Sequence, residues 1–328
     1  MEDSRLPFYR TQLLGDSEVR IAVDYLKKGH VVAFPTETVY GLGAPIFAEA
    51  SIAKIFQVKG RPSDNPLIAH ISQVDQVQQI AVDIPDDFYL LAKEFFPGPL
   101  TVVLHKHQNV PLIASAGLSS IGVRMPNHPL ALQLIQELGQ PIVAPSANLS
   151  GKPSATTYQH VLDDFKGKIA AVLCSPPCLI GLESTVLSLV GDHPVILRPG
   201  QITLEQIESV LKKEVSALQG CLIDQGPILS PGMKYRHYAP KAPLKLFFLR
   251  EDLDRYMAIQ PMIKRLLMVN DGVGVSSYTD IMPLTAKMLY SALRTADDNA
   301  VCEVLALCDP TVQADCSLMN RLAKASQG

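Results

Sequence analysis

The chain has 328 residues, 47% of them apolar and 19% charged, with a formal net charge of −3. That balance excludes a disordered chain, and the length suits about two domains of ~100–200 residues each. The longest uncharged apolar runs, such as Leu100–Leu104, fall far short of the ~18 residues of a membrane span, and the slight acidity gives no global attraction to nucleic acid.

Strand-like and helical patterns alternate along most of the chain. Met1 to Arg10 carries mixed charges without an apolar core, so no secretory signal is expected. Glu18–Lys28 reads as a helix, with Ser17 available as N-cap and Gly29 just past its end. Val31–Phe34 follows as a short apolar strand running into Pro35. Ala48–Val58 is expected to be helical, followed by a loop over Lys59–Pro66 and a strand over Leu67–Ile71. The spacing predicts a helix over Phe88–Phe96, stopped by Pro97-Gly98-Pro99, and then a buried strand at Leu100–Leu104. Asn127 is placed to cap a helix that has Pro129 in its first turn and Leu130, Leu134 and Leu138 on one face. Ile142–Ala144, Ala170–Cys174, Thr185–Val190 and Val195–Arg198 read as further short strands. Thr203 with Gln206 forms a capping box ahead of Ile207, Val210 and Leu211.

A composition break falls between about Cys221 and Pro243. The stretch Asp224–Lys241 is rich in proline and glycine yet carries Lys234, Tyr235, Arg236, His237 and Tyr238, unlike an inert spacer. Beyond it, Leu244–Leu249, Leu266–Val269 and Val304–Leu307 alternate with helical patterns such as Ala286–Thr295, which predicts a small parallel sheet. Domains are therefore expected at 1–222 and 244–328, with 223–243 as a linker or lid.

The usual catalytic signatures are missing. No G-x-x-x-x-G-K-[ST] loop, G-x-S-x-G elbow or H-E-x-x-H helix occurs, and Gly41-Leu42-Gly43 lacks the third glycine of a dinucleotide fingerprint. Cys174 and Cys178 could form a zinc half-site, but no second pair with suitable spacing follows. The six cysteines read as reduced thiols of a cytoplasmic protein, and no metal ligands are assigned.

The strand-to-loop junctions are different. Pro35–Leu42, Lys59–Pro66, Val123–Pro126, Ala144–Asn148, Glu183–Thr185 and Leu197–Gly200 are rich in cations, hydroxyls and prolines. Lys59, Arg61, Arg124 and Arg198 supply point charges and forks suited to carboxylate or phosphate, and Ser146, Asn148 and Ser184 add neutral donors. By chemistry alone this is a site for small anions, nucleotide phosphates among them. Taken singly, each position also fits an ordinary loop charge or turn, and Glu37 and Glu183 read as simple loop acids.

In this order the blocks F-P-T-E-T-V-Y-G-L, K-x-R-P-x-x-N-P-L, P-G-P-L-T, V-R-x-P, P-S-A-N-x-S-G and E-S-T-V, followed by R-P-G, resemble the L-threonylcarbamoyladenylate synthase family. Ser230–Pro240 resembles the start of its long form with an appended carboxy-terminal domain. The resemblance is dense over about residues 12–240 and rests beyond them on position and α/β pattern alone. It implies a twisted mixed α/β sheet with a large concave basic cavity, then a small Rossmann-like parallel α/β domain. It also implies a reaction of L-threonine, bicarbonate and ATP, with magnesium, to give threonylcarbamoyl-AMP and pyrophosphate. Partner proteins would then pass the product to adenosine 37 of ANN-reading tRNAs, with weak RNA binding by the chain itself left open and no membrane association.

Carried over by motif, Lys59, Arg61, Ser146 and Asn148 resemble a tetrad holding phosphates and carbamate, with Lys59 and Arg61 as the catalytic pair. Thr36, His70, Arg124, Ala144 and Ser184 match positions around L-threonine, with Arg124 facing its carboxylate. Ser63, Ser120, Ser154 and Arg198 fall where ATP contacts are implied, and Tyr235, with Tyr238 in reserve, is expected to cover the nucleotide. As loop cations, Lys59 and Arg61 are expected to matter little for folding. Two other readings stand beside this one. One is a carbamoyl-adenylate enzyme using carbamoyl phosphate, whose extra cysteine-bearing regions are not visible here. The other is a double-stranded RNA-binding module, for which Thr36 and Ser184 would be spare.

Overall fold

A computed structural model of the chain describes residues 10–217, 238–259, 262–270 and 279–327. They fall into two compact units, one of residues 10–150, 155–179 and 183–217, the other of 151–154, 180–182 and the described residues from 238 onward.

The first unit is built on an eleven-stranded mixed sheet. Its strands are β1 (Gln12–Leu14), β2 (Val32–Phe34), β3 (Gly41–Pro45), β4 (Ile68–His70), β5 (Leu100–His105), β6 (Ser120–Arg124), β7 (Ile142–Ala144), β8 (Ala171–Leu173), β9 (Thr185–Ser188), β10 (Val195–Arg198) and β11 (Ser216–Ala217). They lie in the order β1-β8-β2-β3-β7-β4-β6-β5-β9-β10-β11. Successive side chains of a strand point to opposite faces. Val32 and Phe34 accordingly enter one core with α1 (Val19–Lys27) and α4 (Pro129–Leu138), while Ala33 enters another. That second core is also built from α2 (Glu49–Lys59), α3 (Asp86–Phe95), α5 (Tyr158–Phe165) and α6 (Leu204–Leu211). Burial on both faces is why the strands read as unbroken apolar runs rather than alternating ones.

Local chemistry sets most boundaries. Thr203 accepts from the Gln206 N–H, forming the expected capping box of α6. α4 is capped by His128, whose Nδ1 accepts from the Leu130 N–H, rather than by Asn127 as the spacing suggested. α1 begins after a short 3-10 turn at Asp16–Glu18, so Ser17 lies inside that turn and is not the N-cap. Gly60, at φ 59°, takes the left-handed conformation that ends α2 immediately after Lys59. The glycines of Gly41-Leu42-Gly43 have a packing reason: a Cβ at either would come within 2.9 Å of the Phe34 ring. β3 itself was not foreseen, because two glycines and a proline in five residues hide a strand.

The second unit carries a four-stranded parallel sheet in the order β12-β15-β13-β14, from β12 (Leu244–Phe247), β13 (Arg265–Val269), β14 (Thr279–Pro283) and β15 (Glu303–Leu307). Its helices are α7 (Arg250–Ile259), α8 (Leu289–Asp298), α9 (Pro310–Ala314) and α10 (Cys316–Ser326). Leu253, Leu267, Val269 and Leu305 form its apolar centre. Glu303 forms ion pairs with buried Arg265 at 3.2 Å and with Lys245 at 3.1 Å. β14 is the strand the sequence pattern missed. No helix among the described residues is long and apolar enough to cross a membrane.

Candidate active site

The register of the sheet gathers the predicted positions. β4 pairs with β6 so that His70 lies opposite Arg124, and with β7 so that Ile68 lies opposite Ala144. Ala144 and Arg124 therefore flank opposite ends of β4, offset along the strands by two residues, about 7 Å. β5 pairs with β9, which sets Leu100 opposite Thr185 and brings Ser184 to the start of β5. β3 reaches the loop after β7 through a bridge between Gly41 and Ser146.

Three bonded groups result. In the first, Lys59 is only 2% exposed. Its Nζ donates to the Ser146 carbonyl at 2.6 Å and to the Asn148 carbonyl. Ser146 Oγ donates to Asn148 Oδ1 at 2.5 Å. The last residue of α2 thus fastens the loop after β7. This corrects the expectation that Lys59 is a loop cation with little weight in folding: it is a buried helical residue with structural bonds.

In the second group, Arg124 Nη2 and Glu37 Oε2 form a buried ion pair at 2.6 Å. Arg124 Nη1 donates to Thr38 Oγ1 at 2.8 Å, and Nε donates to the Gly98 carbonyl at 3.2 Å. Thr36 Oγ1 donates to the Val39 carbonyl at 2.6 Å and accepts from the N–H groups of Thr38 and Val39. Its hydroxyl therefore shapes the turn that presents Glu37 and Thr38 to Arg124. In the third group, Ser184 Oγ and Thr101 Oγ1 share a hydrogen bond of 2.8 Å, and Arg198 Nε and Nη2 both donate to the Ser184 carbonyl.

Other predicted positions stand apart. Arg61, half-buried, donates to the Asn65 and Pro66 carbonyls of its own loop at 3.2–3.3 Å. Ser63 is exposed in that loop, and Ser120 is buried at the start of β6 opposite His105. Ser154 is buried and belongs to the second unit. Tyr238 is spent within that unit, stacked on Tyr290 at 5.3 Å with Arg321 over its ring. Tyr235, and with it the expected lid, lies outside the described residues.

Glu37, Thr38, Thr101 and Gly98 were missed or passed over as loop residues. Their only signal was membership of the motif blocks, since the partner of Gly98 lies 26 positions away in the chain and those of the other three more than 80.

Burial decides the protonation states that matter. His70 is held down to about pKa 3 by burial and by repulsion from Arg124, so its ring stays neutral. Its Nδ1 faces the Ile68 carbonyl at 3.1 Å and its ring meets Phe34 edge-on. Burial pushes the Cys178 thiol up to about 12, which makes it a poor thiolate ligand or nucleophile. Among the described residues no cluster of three His, Cys, Asp or Glu side chains is arranged to hold a metal.

The buried, neutral His70 predicts a pH dependence of stability. Unfolded chains bind a proton here below about pH 6.5, whereas the folded chain does not until about pH 3. Its contribution is therefore complete above pH 6.5 and is lost as the pH falls from 6.5 toward 3. From pH 6.5 to pH 5 denaturant titration should show a loss of about 2 kcal/mol from this group. The His70→Gln variant should show a correspondingly shallower slope, and an unchanged slope would remove His70 as the cause.

Comparison with known proteins matches the first part of the chain, residues 24–200, to the family model described as telomere recombination. Residues 202–327 match the model described as the threonylcarbamoyl-AMP synthase C-terminal domain. The chain is 43% identical over 322 residues to the threonylcarbamoyl-AMP synthase of Pyrococcus abyssi, covering 94% of each chain. The chain belongs to the threonylcarbamoyl-AMP synthase family. The Bacillus subtilis threonylcarbamoyl-AMP synthase is 42% identical, over 95% of this chain and 94% of that one. The crystal structure of Pyrococcus abyssi Sua5 complexed with L-threonine superposes with a TM-score of 0.88 at 39% identity, covering 97% of both chains. The mixed sheet and the small parallel sheet are thus those of threonylcarbamoyl-AMP synthases, as the resemblance implied.

Proposed function

We infer that this chain is a threonylcarbamoyl-AMP synthase that joins L-threonine, bicarbonate and ATP and releases pyrophosphate. The observation that carries this reading is the end-to-end match of both units to a protein crystallised with L-threonine. The local chemistry agrees with it, since threonine carboxylate, bicarbonate and triphosphate are all anions and the motif blocks supply the cations Lys59, Arg61, Arg124 and Arg198. The full-length relatives favour neither a carbamoyl phosphate enzyme nor a double-stranded RNA-binding module.

In the reaction so read, the threonine amine attacks carbon dioxide or bicarbonate, and a carbamate oxygen then attacks the α-phosphorus as pyrophosphate leaves. Bicarbonate gives up one oxygen as water. Arg124 holds the threonine carboxylate and Ser184 lies beside it, while Ala144 borders the amino acid. Ser146, Asn148, Lys59 and Arg61 face the carbamate and phosphates, and Ser63, Ser120 and Arg198 are read as nucleotide contacts. Charge grows on phosphate oxygens, so fixed cations and dipoles are the main catalytic device. Magnesium is read as arriving on the nucleotide, since no described three-ligand cluster offers it a protein cage; no step is assigned to it. The product would pass to proteins that modify adenosine 37 of ANN-reading tRNAs, and the free thiols among the described residues favour the cytoplasm.

Pyrophosphate release that depends on L-threonine, bicarbonate and ATP together tests this reading. Release without threonine would refute it. Arg61 supplies a graded check, because it is half-buried and donates to two carbonyls of its own loop. Arg61→Ala should lower the rate about ten- to a hundred-fold, the worth of one hydrogen bond to a charged group, with little change in melting temperature. A large fall in melting temperature with full specific activity would make Arg61 structural.

A further inference from the structure

Two oppositely charged buried groups of the first unit have hydrogen-bonding capacity left over. Both carboxylate oxygens of Glu37 and Nη2 of Arg124 are buried without a hydrogen-bond partner in the described protein. Nη2 and Oε2 lie 2.6 Å apart, so the charges attract. Their N–H and lone-pair directions nevertheless do not meet, and a hydrogen bond requires that they do. Arg124 is meanwhile fixed from its other nitrogens by the Gly98 carbonyl and Thr38 Oγ1. The pair is positioned but unsatisfied, which is costly for buried charges.

An ionised carboxylate only accepts, and a guanidinium only donates. Water supplies a donor or an acceptor but no charge; the ligand that answers both charges has a donor-only cation for Glu37, an acceptor-only anion for Arg124 and no net charge. An α-amino acid zwitterion is that molecule. A phosphate or bicarbonate alone would suit Arg124 and be repelled by Glu37. No neighbouring group replaces Glu37 in this role. His70 stays neutral, and the Thr36 hydroxyl is engaged in its own turn. The other buried acids of this unit, Asp164 and Glu183, have partners of their own.

We propose that Glu37 is the ammonium-binding residue of the amino-acid subsite, its carboxylate accepting from the α-ammonium of L-threonine while Arg124 takes the carboxylate. This rests on the reading of L-threonine as substrate. The test is calorimetry on the full chain with an ATP analogue present, comparing L-threonine with its deaminated analogue (2S,3R)-2,3-dihydroxybutanoate. The unaltered chain should prefer L-threonine by about ten- to a hundred-fold. Glu37→Gln should lose most of that preference by weakening threonine alone. Where Glu37→Gln does not fold, Glu37→Asp keeps the charge, shortens its reach and should weaken threonine without weakening the analogue. Equal weakening of both ligands would show that Glu37 merely holds Arg124, and an unchanged preference would place the ammonium elsewhere; either overturns the proposal. Absence of threonine binding to the unaltered chain would instead overturn the substrate reading, and this assignment with it.

Discussion

Replacing Lys59 with alanine is expected to damage the fold and the reaction together. Its Nζ is buried and donates to two backbone carbonyls, Ser146 and Asn148, of the loop after β7. Hydrogen bonds from a charged donor are worth ~1.5–3 kcal/mol each, and the carbonyls left behind would be unsatisfied. A loss of about 3–5 kcal/mol is expected, which for a unit of this size lowers the melting temperature by roughly 10 °C. Specific activity of the remaining folded protein should fall at least a hundred-fold, because the same loop carries Ser146 and Asn148. Lys59→Met separates the two parts: it keeps the aliphatic stem in place while removing charge and donors. If Lys59→Met melts like the unaltered chain but is inactive, Lys59 acts on substrate alone. If it is active, the lysine serves the fold only.

The second large effect concerns Arg124. Arg124→Ala leaves Glu37 charged, buried and unpaired, and breaking a buried pair in this way costs about 3–5 kcal/mol. It should also raise the threonine requirement far more than the ATP requirement; equal losses of both would reassign this arginine to phosphate. Replacing both partners with apolar residues of similar size, Glu37→Leu with Arg124→Met, removes two desolvation penalties at once. Such exchanges are often neutral or stabilising by about 1–4 kcal/mol. The double variant is therefore expected to melt close to the unaltered chain while binding L-threonine at least a hundred-fold more weakly. Denaturant titration and calorimetry on the same preparations check both halves. A double variant as unstable as Arg124→Ala would mean that Thr38 and Gly98, not the ion pair, account for the structural loss.

The sequence by itself determined the composition class, the α/β alternation, the capping box at Thr203 and, through its ordered motif blocks, the family. These are legible because they depend on neighbours in the chain: turn residues, apolar runs and caps act over a few positions. It was misleading where a strand had little apolar mass, as in β3, or where a histidine replaced the expected asparagine as cap of α4. The tertiary structure alone decided which junction residues meet and what they become on meeting. Lys59 reads as a loop cation, yet one more residue of α2 before Gly60 turns it into a buried clasp on a loop nearly ninety positions later. Glu37 reads as a loop acid, yet the register that sets β4 beside β6 helps to hold Arg124 in place, and the Thr36 turn presents Glu37 to it. The physical reason is common to both cases. The energy of a buried charge depends on which partner removes its desolvation cost, and that partner is chosen by strand register rather than by nearness in sequence.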